Sequence, residues 1–292
     1  CFIKSAPNIF LMSFFNIDIF PLNFYFDKFI SVVNLFFSDY IELNNNYEQE
    51  LGFDAVELNF TYYTMPTAGL MERFCSKTSP DFEFVVKGNK TMTHDSFDYR
   101  ITEKPDPVKV KELYEYFYDS LQPLRDNNKL GAVLLQFPVF FYPTSRNMDY
   151  ILAAGEYLKN DALVVEFRNS AWLKEDTFSF LEQNGISYCA VDEPQFPRLM
   201  PFENRVTSDT AYIRFHGRNE NWFNSSTSVR YDYLYSEKEL REFLPEIESM
   251  GKKAAKTFLF FNNCHAGSAA TNAKMLKEML GLSSNSGNRE LF

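Results

Sequence analysis

Glycine is scarce in this 292-residue chain: there are 11 in all and none before Gly52. No GxGxxG follows its first apolar runs and no GxxxxGK[ST] occurs anywhere, which removes the main support for dinucleotide and P-loop folds. Cysteine is sparser still. Cys1, Cys75, Cys189 and Cys264 are scattered without a CxxC pair, a pattern that excludes a disulfide framework and reads as reduced thiols in a cytoplasmic protein. Positive charge is also short, with 29 Lys and Arg against 39 Asp and Glu, so the net charge of −10 argues against a general phosphate-backbone binder. Long hydrophobic runs are missing as well. FISVVNLFF, residues 29–37, is far too short to span a bilayer, and no membrane partner is expected.

What is present suits one large core: 45% of the chain is hydrophobic and 17% aromatic, in a length that a single α/β barrel commonly reaches. Three segments are expected: a Phe-rich N-terminal stretch over 1–46, a barrel domain over 47–282 and a tail over 283–292. Residues 1–40 alone hold 10 of the 32 phenylalanines. Asn8, Asn16 and Asp18 interrupt this stretch, so it does not read as a signal peptide. It is either an unusual strand and helix or, since the chain begins with Cys, not the natural start of the domain.

From residue 54 onward, apolar runs rich in Val, Ile, Leu and Phe recur at 54–59, 82–88, 131–138, 162–168, 186–193, 211–217 and 257–263. Segments with apolar residues three or four apart lie between them, around 67–78, 107–124, 145–158, 173–184, 236–249 and 267–280. Thr144 or Ser145 and Ser236 are predicted N-caps, Ser236 with Glu239 in a capping box. Strands alternating with helices imply parallel pairing, and the nearly continuous apolar runs imply strands covered on both faces. The fold class expected is α/β, a TIM-barrel-like (β/α)8 barrel whose first strand is atypical or missing. An open doubly wound sheet is the alternative.

Polar residues gather where these runs end. Glu57 and Asn59, Lys87, Gln136, Glu166 and Arg168, Asp192 and Glu193, Arg214, and Asn262 with Asn263 all lie near run ends, and His94, His216 and His265 come at or just past them. In an α/β barrel the carboxyl ends of the strands form one mouth, where active sites are built. Residues two apart on a strand share a face, which pairs Glu57 with Asn59, Glu166 with Arg168 and Arg214 with His216. Glu166 and Arg168 could equally form an ion pair that only orders the barrel, and Cys264 reads as a small packed residue rather than a nucleophile.

These residues also carry a resemblance. VELNFTYYTMP (56–66), FVVKGNKTMTH (84–94), GAVLLQFP (131–138), VVEFRNSAW (164–172), CAVDEP (189–194), AYIRFHGRNENW (211–222) and FFNNCHAGSAATNA (260–273) resemble, in order, the motifs of the YecE-like family, the domain of unknown function 72. The resemblance covers about residues 47–280 and implies a TIM-barrel-like intracellular protein whose activity is unsettled for the family. The family's glycine-rich opening strand has no match in residues 1–46. Either a Phe-rich run such as 29–37 replaces that strand, or the barrel is incomplete at this seam.

Two functions are carried forward. The first is an enzyme, a hydrolase, lyase or isomerase, acting by acid–base chemistry on a small polar substrate, sugar-like or phosphorylated. Glu57, Glu166, Asp192, His216 and His265 would be catalytic. Asn59, Lys87, His94, Gln136, Arg168, Trp172, Arg214, Arg218, Trp222, Asn262 and Asn263 would bind substrate, with Tyr62 and Tyr63 as further stacking surfaces. No cofactor is assigned: a divalent metal would draw on the same His and carboxylate set, which holds no short spacing such as HExxH. The second is a nucleic-acid partner, with Arg214, Arg218 and Arg230 meeting phosphates and Trp222, Tyr231, Tyr233 and Tyr235 stacking bases.

Overall fold

A computed structural model describes residues 9–13, 48, 51–101, 107–159, 161–223, 227–263 and 267–282. Eight parallel strands form one sheet: β1 (Ile9–Ser13), β2 (Ala55–Leu58), β3 (Glu83–Lys87), β4 (Leu130–Gln136), β5 (Leu163–Glu166), β6 (Ser187–Asp192), β7 (Thr210–Phe215) and β8 (Lys256–Phe261). Their order is β1-β8-β7-β6-β5-β4-β3-β2, and β1 also lies beside β2, so the sheet curls into a nearly closed barrel. The first strand is therefore present at Ile9–Ser13, paired with β8 from Ile9↔Thr257 to Ser13↔Phe261. The 29–37 run proposed for that place lies outside the described residues.

The other seven strands coincide with the predicted apolar runs, β4, β7 and β8 each starting one residue earlier, because strands buried on both faces need apolar side chains at nearly every position. Helices Ala68–Lys77, Pro107–Ser120, Ser145–Leu158, Glu175–Gln183 and Ser268–Met279 alternate with them. The span predicted as one helix over 236–249 divides into Glu237–Glu242 and Leu244–Gly251, with Pro245 in the first turn of the second. Among the described residues no helix is long and apolar enough to cross a membrane.

At the amino ends of the strands, Glu83 of β3 meets Lys256 of β8 at 2.6 and 2.8 Å. The carboxyl ends therefore carry a separate polar layer. The capping box at Ser236 is formed in full: its hydroxyl accepts from the Glu239 amide, and the Glu239 carboxylate accepts from the Ser236 amide at 2.8 Å. Ser236→Ala is expected to lower the unfolding free energy by about 1 kcal/mol, read as a lower urea midpoint at unchanged slope. An unchanged midpoint would show that this cap contributes nothing.

Candidate functional site

Register decides which polar side chains meet inside the barrel. Residues paired across parallel strands point to the same face, and β6 sets Val191 opposite Arg214 while β7 sets Arg214 opposite Phe260. Arg214 lies at the centre. It donates from Nη2 to Glu57 Oε1 at 2.7 Å, and from Nη1 to Glu166 Oε2 at 2.5 Å and to Gln136 Oε1 at 3.2 Å. The Tyr212 hydroxyl, two residues back on the same face, donates to Glu57 Oε2 at 2.5 Å. Arg168 pairs with Glu166 and, at 2.6 Å, with Glu193. His216 Nε2 lies 3.2 Å from Glu166 Oε1, and the Asn262 side chain donates to its Nδ1 at 2.9 Å.

Glu57, Glu166, Arg214 and His216 are closed to solvent. Burial alone would raise the Glu166 carboxyl, but Arg168, Arg214 and His216 hold it well below the usual carboxylate range. Burial raises the Glu57 carboxyl against the opposing pull of Arg214 and Tyr212. Burial, reinforced by Arg168, keeps the His216 imidazole neutral. The sequence reading gave Glu57, Glu166 and His216 direct acid–base roles. The three are enclosed and lie together beneath the strand ends.

Above them lie side chains that solvent reaches. Lys87 and Gln136, which end β3 and β4, are partly exposed, and Lys87 Nζ donates to Gln136 Oε1 at 2.7 Å. The same amine lies 4.8 Å from the centre of the Tyr62 ring, and the His94 ring meets Tyr62 edge-on at 5.0 Å. Burial and the neighbouring Arg214 push the Lys87 amine down to about 7. Burial and Lys87 push His94 down to about 3, so its imidazole is neutral at physiological pH.

Adjacent polar pairs at the strand ends split between two faces. Asp192 is opposite Phe215 and turns away from the barrel interior, and Glu193 takes the inward place against Arg168. Asp192 accepts two hydrogen bonds from Arg218 Nε and one from Nη2, at 2.9–3.0 Å, and one from Tyr235 Oη at 2.5 Å. Asn263 likewise turns outward, donating to the Tyr233 carbonyl and to Asn272 Oδ1, both at 2.8 Å. Asn59 is buried just past β2, and its Nδ2 has no hydrogen-bond partner among the described residues.

Trp172 does not join the mouth. It is enclosed, stacked on Phe167 and Phe141, with its indole N–H on the Phe141 carbonyl at 2.7 Å, so it packs the barrel wall. Trp222 is buried at the rim against Tyr231, and Arg230 Nε donates to its carbonyl at 2.9 Å. The arginines put forward for phosphate contacts thus bind this chain's own acceptors. Tyr63 is exposed beside Tyr62. His265 and Cys264 lie outside the described residues. Among the described residues no group of three or more His, Cys, Asp or Glu is placed to hold a metal ion.

Glu193 is placed at the strand ends by sequence but given no role there, and Tyr212 and Asn272 are not assigned to the site at all. Tyr212 had a signal, its spacing of two from Arg214, whereas Asn272 sits mid-helix and had none.

A family model described as "Protein of unknown function DUF72" matches residues 43–290. A curated relative, the UPF0759 protein YunF of Bacillus subtilis, is 31% identical over 242 residues, covering 79% of this chain and 84% of that protein. The crystal structure of a DUF72 family protein from Thermotoga maritima is similar with a TM-score of 0.74 at 40% identity, covering 82% of this chain and 90% of that one. A DUF72 family protein from Enterococcus faecalis gives the same TM-score at 26% identity, covering 85% of this chain and 92% of that one. The chain therefore belongs to the DUF72 family of TIM-barrel-like proteins.

Proposed function

We propose that this protein is an enzyme acting on a small polar substrate, sugar-like or phosphorylated, at the C-terminal mouth of the barrel. One observation carries the reading: side chains from β2, β3, β4, β5 and β7 converge on a single connected network, Glu57–Arg214–Glu166–His216 with Gln136 and Lys87 above it. A barrel needs no such array for stability, since buried ion pairs are often no better than apolar packing of the same volume. Preorganised charge beneath a polar, accessible layer is instead what acid–base and electrostatic catalysis require. Lys87, Gln136, His94 and Tyr62 meet the substrate in this reading, and the enclosed charges set their protonation.

The test is to incubate the purified protein with a whole-cell extract of small metabolites and follow the mixture by mass spectrometry. A polar compound is expected to be consumed, at least tenfold more slowly with Gln136→Ala or His94→Ala of wild-type fold. Consumption of nothing, or equal consumption by wild type and both variants, would overturn the reading.

A further inference from the structure

We propose that Lys87 is a covalent nucleophile, and that the substrate class is an aldehyde or ketone whose carbonyl carbon its amine attacks. The inference rests on the reading of the mouth as catalytic and deepens it.

The comparison that carries it is among this chain's own lysines. Lys129 is buried with three oxygens around its ammonium, the Cys75 and Thr78 carbonyls and the Thr78 hydroxyl, at 2.7–3.0 Å. Lys256 pairs with Glu83, and Lys277 pairs with Asp54 and the Gly52 carbonyl. Burial lowers Lys129 as well, but three oxygens surround its amine. Lys87 differs: its hydrogen-bond partner is the neutral Gln136 amide oxygen, and among the described residues no carboxylate lies within ion-pair distance of it. The carboxylates that could neutralise it, Glu57 and Glu166, are taken up by Arg214 at 2.7 and 2.5 Å. Arg214 also shares the Gln136 oxygen, which places a permanent cation beside the amine.

A lysine next to another cation is a standard arrangement for an amine that must be neutral to react. The lowering of Lys87 to about 7 agrees with this geometry, leaving much of the amine unprotonated at neutral pH. Lys87 is partly exposed at the carboxyl end of β3, on the side a substrate would enter.

The step balances without an oxidant or reductant. The Nζ lone pair forms a C–N bond as the carbonyl π pair moves to oxygen, and one amine proton passes to that oxygen to give a carbinolamine. The hydroxyl then takes a proton from solvent and leaves as water, so amine, carbonyl and proton become an iminium and water. An iminium keeps its positive charge.

The test uses the intact wild-type chain with glycolaldehyde as the carbonyl probe and cyanoborohydride to trap any iminium, mapped by peptide mass spectrometry. Hydroxyethylation of Lys87 is expected at pH 7 at a rate roughly tenfold or more above that of exposed lysines such as Lys109 and Lys252, with a midpoint near pH 7. Modification of Lys87 no faster than those lysines, or with the pH midpoint of an ordinary lysine, would overturn the proposal. Metabolite consumption that survives in Lys87→Arg while Gln136→Ala abolishes it would sink the covalent role and leave the catalytic mouth standing. Trapping at Lys87 in a protein that consumes no metabolite would sink the catalytic reading alone.

Discussion

Replacing Arg214 with methionine is expected to lower the free energy of unfolding by about 3–5 kcal/mol at pH 7, measured by urea denaturation. Arg214 is enclosed, and its guanidinium is the cation that both Glu57 and Glu166 face. Methionine fills much of the same volume, so the loss would come from leaving the Glu57 carboxylate in a low-dielectric interior without its guanidinium, while Glu166 keeps Arg168, and not from a cavity. The deficit should shrink with acid. Without Arg214 the Glu57 carboxyl, already raised by burial, would rise further above its unfolded value, so the penalty is present at high pH and is relieved as the pH falls through that raised folded value. Glu57→Gln added to the variant should recover part of the loss at pH 7. Arg241→Met, which breaks an exposed pair with Glu237, should cost far less. A loss at Arg214 no larger than at Arg241 would mean the mouth is wetter than its geometry shows.

Much of this fold was legible because a barrel strand covered on both faces must be apolar at nearly every position, and seven such runs stand out from residue 54 on. β1 was not legible for the opposite reason. The segment around Ile9–Ser13 lies in a long Phe-rich stretch, with no change of period to mark where a strand starts. The site was legible as a level and not as a face. Asp192 beside Glu193 and Asn262 beside Asn263 mark the end of a strand, but only one of each pair can turn inward. The inward member follows from register: Asp192 opposite Phe215 turns outward, as does Phe261 opposite Phe215, which carries Glu193 and Asn262 inward with His216. Had Tyr212, Arg214 and His216 been taken as the reference face, the same alternation would have selected them. Trp172 was misplaced because strand spacing does not extend into the turn after Arg168, where the indole folds back onto Phe167.

Gly217→Ala is expected to cost roughly 2–5 kcal/mol, more than any cap at the mouth, by adding backbone strain to overpacking. The residue has φ +84°, where a side chain is strained, and a Cβ there would lie 2.6 Å from Tyr233 Cβ, an atom fixed to the backbone. Gly185 supplies the control. Its φ is +63°, but a Cβ would meet nothing within 4 Å, so Gly185→Ala should show the backbone term alone, about 1–2 kcal/mol. The difference between the two variants measures the Tyr233 contact. Relief of that contact has consequences for the site, because Gly217 separates His216 of the inner network from Arg218, which holds Asp192. Its own amide donates to the Tyr235 hydroxyl at 2.8 Å, and that hydroxyl donates to Asp192. A turn that opens to admit the methyl group must therefore shift one of the two sets. If Gly217→Ala proves no costlier than Gly185→Ala, the turn yields freely, and the inner network and the Asp192 cluster are not rigidly coupled through it.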